Sequence, residues 1–291
     1  MTKHKVLSKE LLGCLAVFGS AFFFYLSTVT IRWSVLWVTL DPAFFVFVRF
    51  LLGFVVICSL LYFKKQELKP VRYHFLVGRA VSNCVAVYCF YKGVVLTSVA
   101  EANILNMTYP LFIAVFSWIF LKAQRDAVTM VIVLVALTGV WLILAPEKAE
   151  PDLNHLWGLA SGFSASFAIV YLNFSRKFHD SETILFYMFG LGVPITFIFF
   201  HEKIFVPNAQ ELYYLLVCAG LGICGQYLLT LGFRYVTAVE GGIISSTRIL
   251  LAAILGPYIA SDPSLSLSGW MGALLIFVAN IYLTIRKAKT A

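Results

Sequence analysis

Charged side chains are scarce in this sequence. Only 12% of its 291 residues are charged and 61% are hydrophobic, whereas a soluble domain is about 25% charged and about 45–50% apolar. The sequence also lacks an HExxH pair, a Gly-x-Ser-x-Gly turn and a phosphate-binding loop, which are common marks of enzyme sites. The chain is therefore not an ordinary soluble domain, nothing in it predicts an enzyme, and no cofactor or metal is implied.

Long apolar runs recur along the chain, and each is long enough to cross a hydrocarbon layer of about 30 Å. Turn-forming pairs such as Asp41-Pro42 and Asp262-Pro263 separate them. We predict an all-α membrane protein with ten transmembrane helices. Their approximate ranges are 11–31, 42–63, 75–96, 100–121, 127–145, 156–174, 183–200, 211–232, 238–260 and 267–285.

The positions of the basic residues predict how the spans are oriented. With the N-terminus in the cytoplasm, 15 of the 22 Lys and Arg residues fall on the cytoplasmic side, 4 fall on the outer side and 3 lie within spans. Basic residues concentrate in cytoplasmic loops. We therefore predict that both the N- and C-termini are cytoplasmic, in a multi-pass protein of a bacterial inner (cytoplasmic) membrane or an equivalent membrane. The net charge of +8 then reflects orientation and not a nucleic-acid partner.

The six cysteines all lie within the apolar runs. Cysteines of a disulfide framework lie in exposed loops at regular spacings. We expect these residues to pack as small buried side chains instead.

Two stretches of the chain, 98–110 and 237–249, share a pattern of residues. Each opens with a hydroxyl residue followed three positions later by a glutamate, Ser98 with Glu101 and Thr237 with Glu240. This spacing predicts a capping box at the start of a helix, so all four residues are expected to be structural helix caps. The offset of 139 residues also relates Gly93 to Gly232 and Tyr88 to Tyr227. Two boxes in register indicate an internal duplication.

The duplication predicts two domains of five helices each, residues 1–146 and 151–291. Because five is an odd number, the second repeat is inverted in the membrane relative to the first. Inverted repeats place a substrate site near the midplane, between the two halves, and permit alternating access by rocking of one half against the other.

The pattern resembles the EamA-type drug/metabolite transporters over nearly the whole chain. The matching segments run from Tyr91-Lys92-Gly93 to Tyr109-Pro110 in the first half, and from Gly232-Phe233-Arg234-Tyr235 to Gly256-Pro257 in the second. The resemblance implies a ten-helix fold of five plus five helices and a transport function. Many members of that family carry a glutamate just after spans four and nine, where this chain has Lys122-Ala123-Gln124 and Ser261-Asp262.

Arg248 is the sharpest candidate for substrate binding. It lies about ten residues into span nine, so at 1.5 Å per residue it is about 15 Å deep, near the midplane. A charge at that depth costs at least a few kcal/mol. Gly242, Ser245 and Ala252 share its face of the helix, and this small, polar face suits a cavity wall. The alternative is a structural arginine bonded to carbonyls of a neighbouring helix.

Two more arginines lie within spans. Arg49 is a third of the way into span two, and binding residue and structural anchor are equally good interpretations of it. Arg79 is one turn inside the cytoplasmic end of span three, where we expect its guanidinium to reach the interface and serve the structure. A place in the binding site is the alternative. Asn83 follows on the same face as Arg79 and is a candidate for the site.

Span four offers Asn103, Asn106 and Tyr109, with Pro110 behind them. A proline removes a helical hydrogen bond, and broken helices bind ligands in such transporters. Asparagine side chains also join membrane helices to one another, for about 1 kcal/mol each, so both interpretations stay open. Candidate cavity residues from spans three and eight are Tyr88 and Gln226, with Tyr91 and Tyr227 as further candidates. For each of these four residues, a place in the interface belt or in helix packing is the alternative.

No aspartate or glutamate lies in the middle of any predicted span. The five histidines also lie at span ends or in loops. Proton relays usually need an intramembrane carboxylate or histidine, and sites for lipophilic cations usually need a buried acid, whereas buried arginine suits a carboxylate or phosphate. We therefore expect a secondary transporter, either a facilitator or an exchanger, for a small polar organic metabolite with an anionic group.

Other functions remain open at this stage. One is a carrier of zwitterions or cations, such as an amino acid, a choline-like amine or S-adenosylmethionine, bound by an aromatic box. Others are a membrane scaffold or receptor that transports nothing, and a membrane enzyme. The expected partners are a small-molecule substrate and membrane lipid, without nucleic acid, and the protein is expected to be either a monomer or a homodimer.

Overall fold

The structure is a computed structural model that describes residues 2–120, 127–144, 153–236 and 238–290. These residues form eleven α-helices and no strand. The helices are α1 (Thr2–Val35), α2 (Pro42–Lys64), α3 (Tyr73–Leu96), α4 (Val99–Asn106), α5 (Tyr109–Phe120), α6 (Ala127–Leu144), α7 (His155–Ser175), α8 (Ser181–Phe200), α9 (Ala209–Tyr235), α10 (Ala238–Leu255) and α11 (Leu267–Thr290). A 3₁₀ turn, His201–Lys203, follows α8, and a π-helical segment, Gly256–Ala260, follows α10.

These helices coincide with the ten predicted spans, with span four divided between α4 and α5. Seven of the resulting segments are long and apolar enough to cross a membrane, and α6 and α11 contain shorter apolar stretches. The remaining segment, α3, is less hydrophobic because it carries polar residues such as Arg79, Asn83 and Lys92. The protein is thus an all-α, multi-pass membrane protein.

Short polar residues fix where several helices begin. Asp41 accepts a hydrogen bond from the Ala43 N–H at the start of α2, and Asp180 accepts one from the Thr183 N–H at the start of α8. A complete capping box starts α9, between Asn208 and Glu211. This box was not predicted from the sequence, because its cap is an asparagine and the predicted boxes begin with a hydroxyl residue.

The predicted box at α4 is formed in part. Ser98 Oγ accepts the Glu101 N–H at 3.1 Å, but the Glu101 carboxylate accepts the Ser98 hydroxyl at 2.8 Å and not the Ser98 N–H. Thr237 lies outside the described residues, as does the side chain of Glu240.

The interruption that Pro110 indicates, a break or a kink, is a complete break, and it lies earlier than the proline. The helix stops at Asn106, and a turn at Met107 and Thr108 leads into α5. Pro110 therefore lies in the first turn of a new helix, where its missing N–H needs no partner. The side chain of Thr108 donates to the Leu105 carbonyl at 2.6 Å, and the Asn280 amide of α11 donates to the Met107 carbonyl at 2.8 Å. Carbonyls released by the break are thus satisfied by side chains.

Removing the Asn280 amide should loosen this break. In Asn280→Leu the buried Met107 carbonyl loses its donor, which costs about 1–3 kcal/mol, so we expect a lower midpoint of thermal unfolding in detergent. Val278→Leu, on the exposed side of the same helix, is the control and should change stability by less than about 0.5 kcal/mol. Equal midpoints for the two variants would contradict the role of Asn280.

Glycines allow two pairs of helices to cross closely. A Cβ at Gly232 of α9 would lie 3.1 Å from the Gly13 carbonyl oxygen of α1, and a Cβ at Gly93 of α3 would lie 3.2 Å from the Gly158 backbone nitrogen of α7. The crossings of α1 with α9 and of α3 with α7 therefore both depend on backbone-to-backbone contact.

The hydrophobic core has two main parts. The larger cluster includes Phe45 and Phe50 of α2 together with Phe189 of α8. A second cluster includes Leu105 of α4 and Ile276 of α11. Three cysteines are buried and two are half-buried, but Cys224 is exposed, which corrects the expectation that all six would be buried.

One end of the bundle is tied together by Asp262, and we call it the Asp262 end. The Asp262 carboxylate lies 2.8 Å from Nε of Arg32, at the end of α1, and accepts the Val99 N–H of α4 at 2.6 Å. Beside it, the Trp33 indole donates to the Ile259 carbonyl at 2.7 Å. Burial raises the pKa of Asp262, against the effects of the Val99 N–H and Arg32. These contacts hold α1, α4 and the π-helical segment together.

The opposite end, which we call the Asp180 end, joins α2 to α8. Lys64 forms an ion pair with Glu182 at 2.8 Å, and the Gln66 amide donates to Asp180 at 2.6 Å. Burial acts to raise the pKa of Asp180, but hydrogen bonds from Thr183 and Gln66 hold it below its usual value.

Candidate functional site

A cavity lies inside the bundle, where α1, α2, α3, α7, α9 and α10 meet the break between α4 and α5. It contains about 710 Å³ of empty space, part of it open to solvent. All three arginines of the predicted spans line it, Arg49 from α2, Arg79 from α3 and Arg248 from α10. Seven of the nine predicted binding residues lie in its wall: Arg49, Asn83, Asn106, Tyr109, Gln226, Ser245 and Arg248.

Arg248 is held by the end of α4. Its guanidinium donates to Oδ1 of Asn106, and the Asn106 amide donates to the Ser161 hydroxyl of α7 at 2.9 Å. The ring of Phe90 covers the guanidinium, 5.2 Å from its carbon. Because Asn106 uses its amide on Ser161, its oxygen is directed to the arginine. The partner of Arg248 is thus a side chain at the helix break and not a backbone carbonyl.

Arg49 is held by a different set of residues. Its guanidinium donates to the Tyr91 hydroxyl of α3 at 2.8 Å, and that hydroxyl lies 3.1 Å from Ser27 Oγ of α1. The guanidinium carbon also lies 5.3 Å from the centre of the Phe24 ring. Tyr91 is fully buried, so Arg49 has a fixed position.

Arg79 contradicts its predicted location. Its side chain is 2% exposed and turns into the cavity, close to Asn83 along the same helix. Snorkelling to the interface requires the helix face of Arg79 to meet lipid, whereas this face of α3 meets the protein interior. Nε of Arg79 and the amide nitrogen of Asn83 are both buried without a hydrogen-bond partner among the described residues.

The described lining of the cavity carries charges of one sign only. Within the described part of the chain, the lining contains three guanidinium groups and no carboxylate. The described ion pairs all lie elsewhere, at the two ends of the bundle or in loops. Unpaired charges buried in a medium of low dielectric are costly. The cavity is therefore suited to an anion that neutralises them.

Two predicted residues do not reach the cavity. The Asn103 amide donates to Thr28 of α1 and to its own helix at Val99 O, at 3.1 and 2.7 Å, so it joins helices. Tyr88 stacks on Phe200 with ring centres 4.6 Å apart, beside Trp157. Both are buried or packed by other elements and lie outside the cavity lining.

Some lining residues were missed from the sequence. Phe24 and Phe90 are two of 27 phenylalanines, and nothing in the sequence sets them apart. Ser20 was detectable in principle, because it is a polar residue inside the apolar run 11–31. Tyr91 and Tyr227, named as further candidates, do not line the cavity, although Tyr91 positions Arg49.

A second cavity opens at the Asp180 end, with about 1150 Å³ of empty space, part of it open to solvent. Its lining continues that of the first: Asn173 follows Ile169 by one turn on α7, and Thr230 follows Gln226 by one turn on α9. Its basic residues are Arg176, Lys177 and Arg234. The lining also contains the Asp180 carboxylate, so the second cavity is mainly basic, and it lies one turn beyond the first along α7 and α9.

Gly222 offers a test of the position of Arg49. A Cβ at Gly222 would lie 3.0 Å from Nε of Arg49 and 3.1 Å from its guanidinium carbon, so Gly222→Ala must displace that group by a few tenths of an ångström. We expect a rise of about three- to tenfold in the KM of an anionic substrate, with the protein still folded. Gly220→Ala on the same helix meets no atom within 4 Å and should transport like the wild type. Equal kinetics for both variants would speak against a binding role for Arg49.

Comparison with known proteins agrees with this architecture. A model of the EamA-like transporter family matches residues 11–145 and again residues 153–285. An uncharacterized transporter of Helicobacter pylori is 27% identical over 237 residues, which cover 77% of this chain and 78% of that protein. The pseudopaline exporter CntI of Pseudomonas aeruginosa is 25% identical over 215 residues, which cover 73% of this chain and 74% of that protein.

The fold also occurs among solved structures. One crystal structure matches with a TM-score of 0.61, covers 96% of this chain and 98% of its own, and is 18% identical in sequence. Its likeness concerns the fold alone. Because the family model matches both halves of the sequence, and because the relatives are named as transporters and not as enzymes, the chain belongs to the EamA-like transporter family.

Proposed function

We propose that this protein is a secondary transporter, a facilitator or an exchanger, which moves a small organic anion bearing a carboxylate or a phosphate across the bacterial inner membrane by alternating access. The observation that carries the proposal is the cavity wall: Arg49, Arg79 and Arg248 face one space, and no carboxylate accompanies them in the described lining. A bound anion removes the cost of these buried charges, and arginine matches the geometry of carboxylates and phosphates.

The proposed mechanism uses two five-helix halves, residues 1–146 and 151–291, as inverted repeats with both termini in the cytoplasm. Close crossings support it. Gly13 of α1 meets Gly232 of α9, and Gly93 of α3 meets Gly158 of α7. With α1 equivalent to α7 and α3 equivalent to α9, the two crossings are the same contact made twice. Arginines from both halves line the cavity, as expected of a site between repeats.

The two ends support the proposed alternation. At the Asp262 end, Arg32 and Val99 hold α1 and α4 to Asp262. At the Asp180 end, the second cavity leads along α7 and α9 toward the first. In the predicted orientation the Asp262 end is the outer one. We propose that this conformation is closed to the outside and approached from the cytoplasm.

Weakening the Asp262 contacts should loosen that end. In Asp262→Asn the charge partner of Arg32 is lost, so we expect several-fold faster amide exchange at the start of α4, measured by hydrogen–deuterium exchange with mass spectrometry. Asp41→Asn removes a comparable capping charge from α2 and is the control. Unchanged exchange around Val99 in Asp262→Asn would contradict a closing role for this carboxylate.

A cation carrier with an aromatic box is the alternative, and the cavity disfavours it. Its rings are already covered by guanidinium groups: Phe24 lies 5.3 Å from Arg49 and 5.8 Å from Arg248, and Phe90 lies 5.2 Å from Arg248. A cationic ligand placed there would meet like charges. The presence of this cavity also favours transport over the alternative that the protein is a membrane scaffold.

Flux in proteoliposomes tests the proposal. Purified protein is reconstituted, and uptake of labelled organic acids and phosphate esters is measured against protein-free vesicles. Competition by acidic and by cationic solutes is then compared. The proposal expects saturable uptake that acidic solutes inhibit. Uptake inhibited by cations alone, or no flux under any gradient, would overturn it.

A further inference from the structure

The geometry points to a ligand with two separate acid groups joined by a short apolar carbon chain. This inference rests on the proposed function and narrows the substrate to organic dianions. Its first basis is charge. A ligand with one carboxylate would neutralise one of the three guanidinium groups and leave two buried charges uncompensated.

The arrangement of the arginines is the second basis. Arg248 is bonded to Asn106 and Arg49 to Tyr91, so the two guanidinium groups are fixed independently. Both lie against the same Phe24 ring, at 5.8 and 5.3 Å from its centre. Their separation is therefore no larger than these two distances combined. Two acid groups on one small molecule can reach both.

The third basis is an excess of hydrogen-bond donors. Five donor nitrogens of the wall are buried without a partner among the described residues: Nε of Arg49, Arg79 and Arg248, Nδ2 of Asn83 and Nε2 of Gln226. Arginine is a donor only, and these nitrogens belong to residues on four different helices. Buried donors without acceptors cost free energy. A ligand that satisfies them must present acceptor oxygens in more than one direction, as two acid groups do.

Beside the polar residues, which include Ser20, Tyr109 and Ser245, much of the remaining wall is apolar and suits the carbon chain. Ala21 and Phe24 of α1, Ala86 and Val87 of α3, and Ala168 of α7 line the cavity. These side chains offer no polar partner to the middle of a ligand. Phe24 lies against both Arg49 and Arg248, so part of this apolar surface lies between the two positions proposed for the acid groups.

A series of matched pairs tests the inference. Straight-chain α,ω-dicarboxylates of three to eight carbons are each compared with their own monomethyl ester at pH 7.5, so that length stays similar while one charge is removed. Binding to the detergent-purified full chain is measured by calorimetry and by thermal shift. At least one diacid should bind about tenfold more tightly than its monoester. Inorganic phosphate and glycerol 3-phosphate form a second arm, which asks whether one doubly charged group suffices.

Substitutions of the two arginines test whether the two acid groups bind in the cavity. Arg248→Gln and Arg49→Gln should each lower the affinity for the diacid to the wild-type affinity for its monoester. The affinity for the monoester should fall more in one of these two variants than in the other. A thermal transition without ligand shows that each variant is folded, and Lys203→Gln on the surface is the control.

The outcomes separate the two proposals. Equal affinities for diacid and monoester, or binding of phosphates without any diacid, would overturn the two-group inference and leave an anion transporter standing. Binding of no anion in either arm by folded protein would overturn both.

Discussion

Arg248→Ala should abolish transport while the protein still inserts and folds. Truncating one partner of a buried, hydrogen-bonded charge pair costs about 2–5 kcal/mol, so we expect uptake of an anionic substrate to fall by about 30-fold to more than 1,000-fold. The same substitution removes a buried charge whose only described hydrogen-bond partner is the neutral Asn106. Stability should therefore stay the same or rise. The measurements are uptake in proteoliposomes and the thermal midpoint in detergent.

The combination of lost transport and retained stability distinguishes a binding arginine from a structural one. A structural arginine that joins α10 to α4 would, when truncated, lower the thermal midpoint along with activity. Arg248→Lys keeps the charge but loses the planar fork of donors, so it should retain part of the activity. Lys203→Ala, in the exposed 3₁₀ turn after α8, serves as the control. Wild-type uptake by Arg248→Ala would rule out a role in binding.

The sequence was sufficient for the helices because their signals are local. Apolar runs set the spans, and Asp41 or Asp180 ahead of a run sets a helix start through a bond to a nearby N–H. The break in span four was only partly visible. Pro110 signals an interruption, but the turn at Met107 and Thr108 is held by Asn280, which lies 173 residues away along the chain. A pattern read locally cannot include that partner.

The site depends on contacts between distant helices, and so only its parts were predictable. Asn103 and Asn106 have the same chemistry and lie three positions apart, which turns them about 60° from each other around the helix. Asn103 thereby meets Thr28 of α1, whereas Asn106 meets Arg248 and Ser161.

The depth of a residue in the membrane is predictable from its position along a helix, but the direction in which its side chain points is not. Arg79 and Arg248 were placed at different depths, and the shallower one was expected to reach the interface. Both are buried in the same cavity, because the face of α3 that carries Arg79 is turned toward the protein interior. Which face of a helix meets protein is decided by its neighbours.

Because the cavity is positively charged when no substrate is bound, we expect the protein to exchange substrates much faster than it carries out net transport. To pass between its two open states, an alternating-access carrier must close over its site. Without substrate, closure would remove the solvent of the cavity from beside the buried Arg49, Arg79 and Arg248, with no anion to take its place. The penalty for burying an unpaired ion is several kcal/mol, and each 1.4 kcal/mol in a barrier slows a step about tenfold. The loaded carrier closes over a neutralised site and avoids this penalty.

Efflux from preloaded vesicles measures this preference. Proteoliposomes containing a labelled anionic substrate are diluted into buffer with or without the same substrate outside, at clamped membrane potential. Efflux should be at least about tenfold faster with external substrate. Arg79→Gln lowers the charge that the empty site must bury, so in this variant the ratio should fall toward one because net efflux speeds up, even if exchange slows. If efflux were equally fast with and without external substrate, the three guanidinium groups would have to be neutralised in the empty carrier by something other than its cargo, and facilitated diffusion would be the better description.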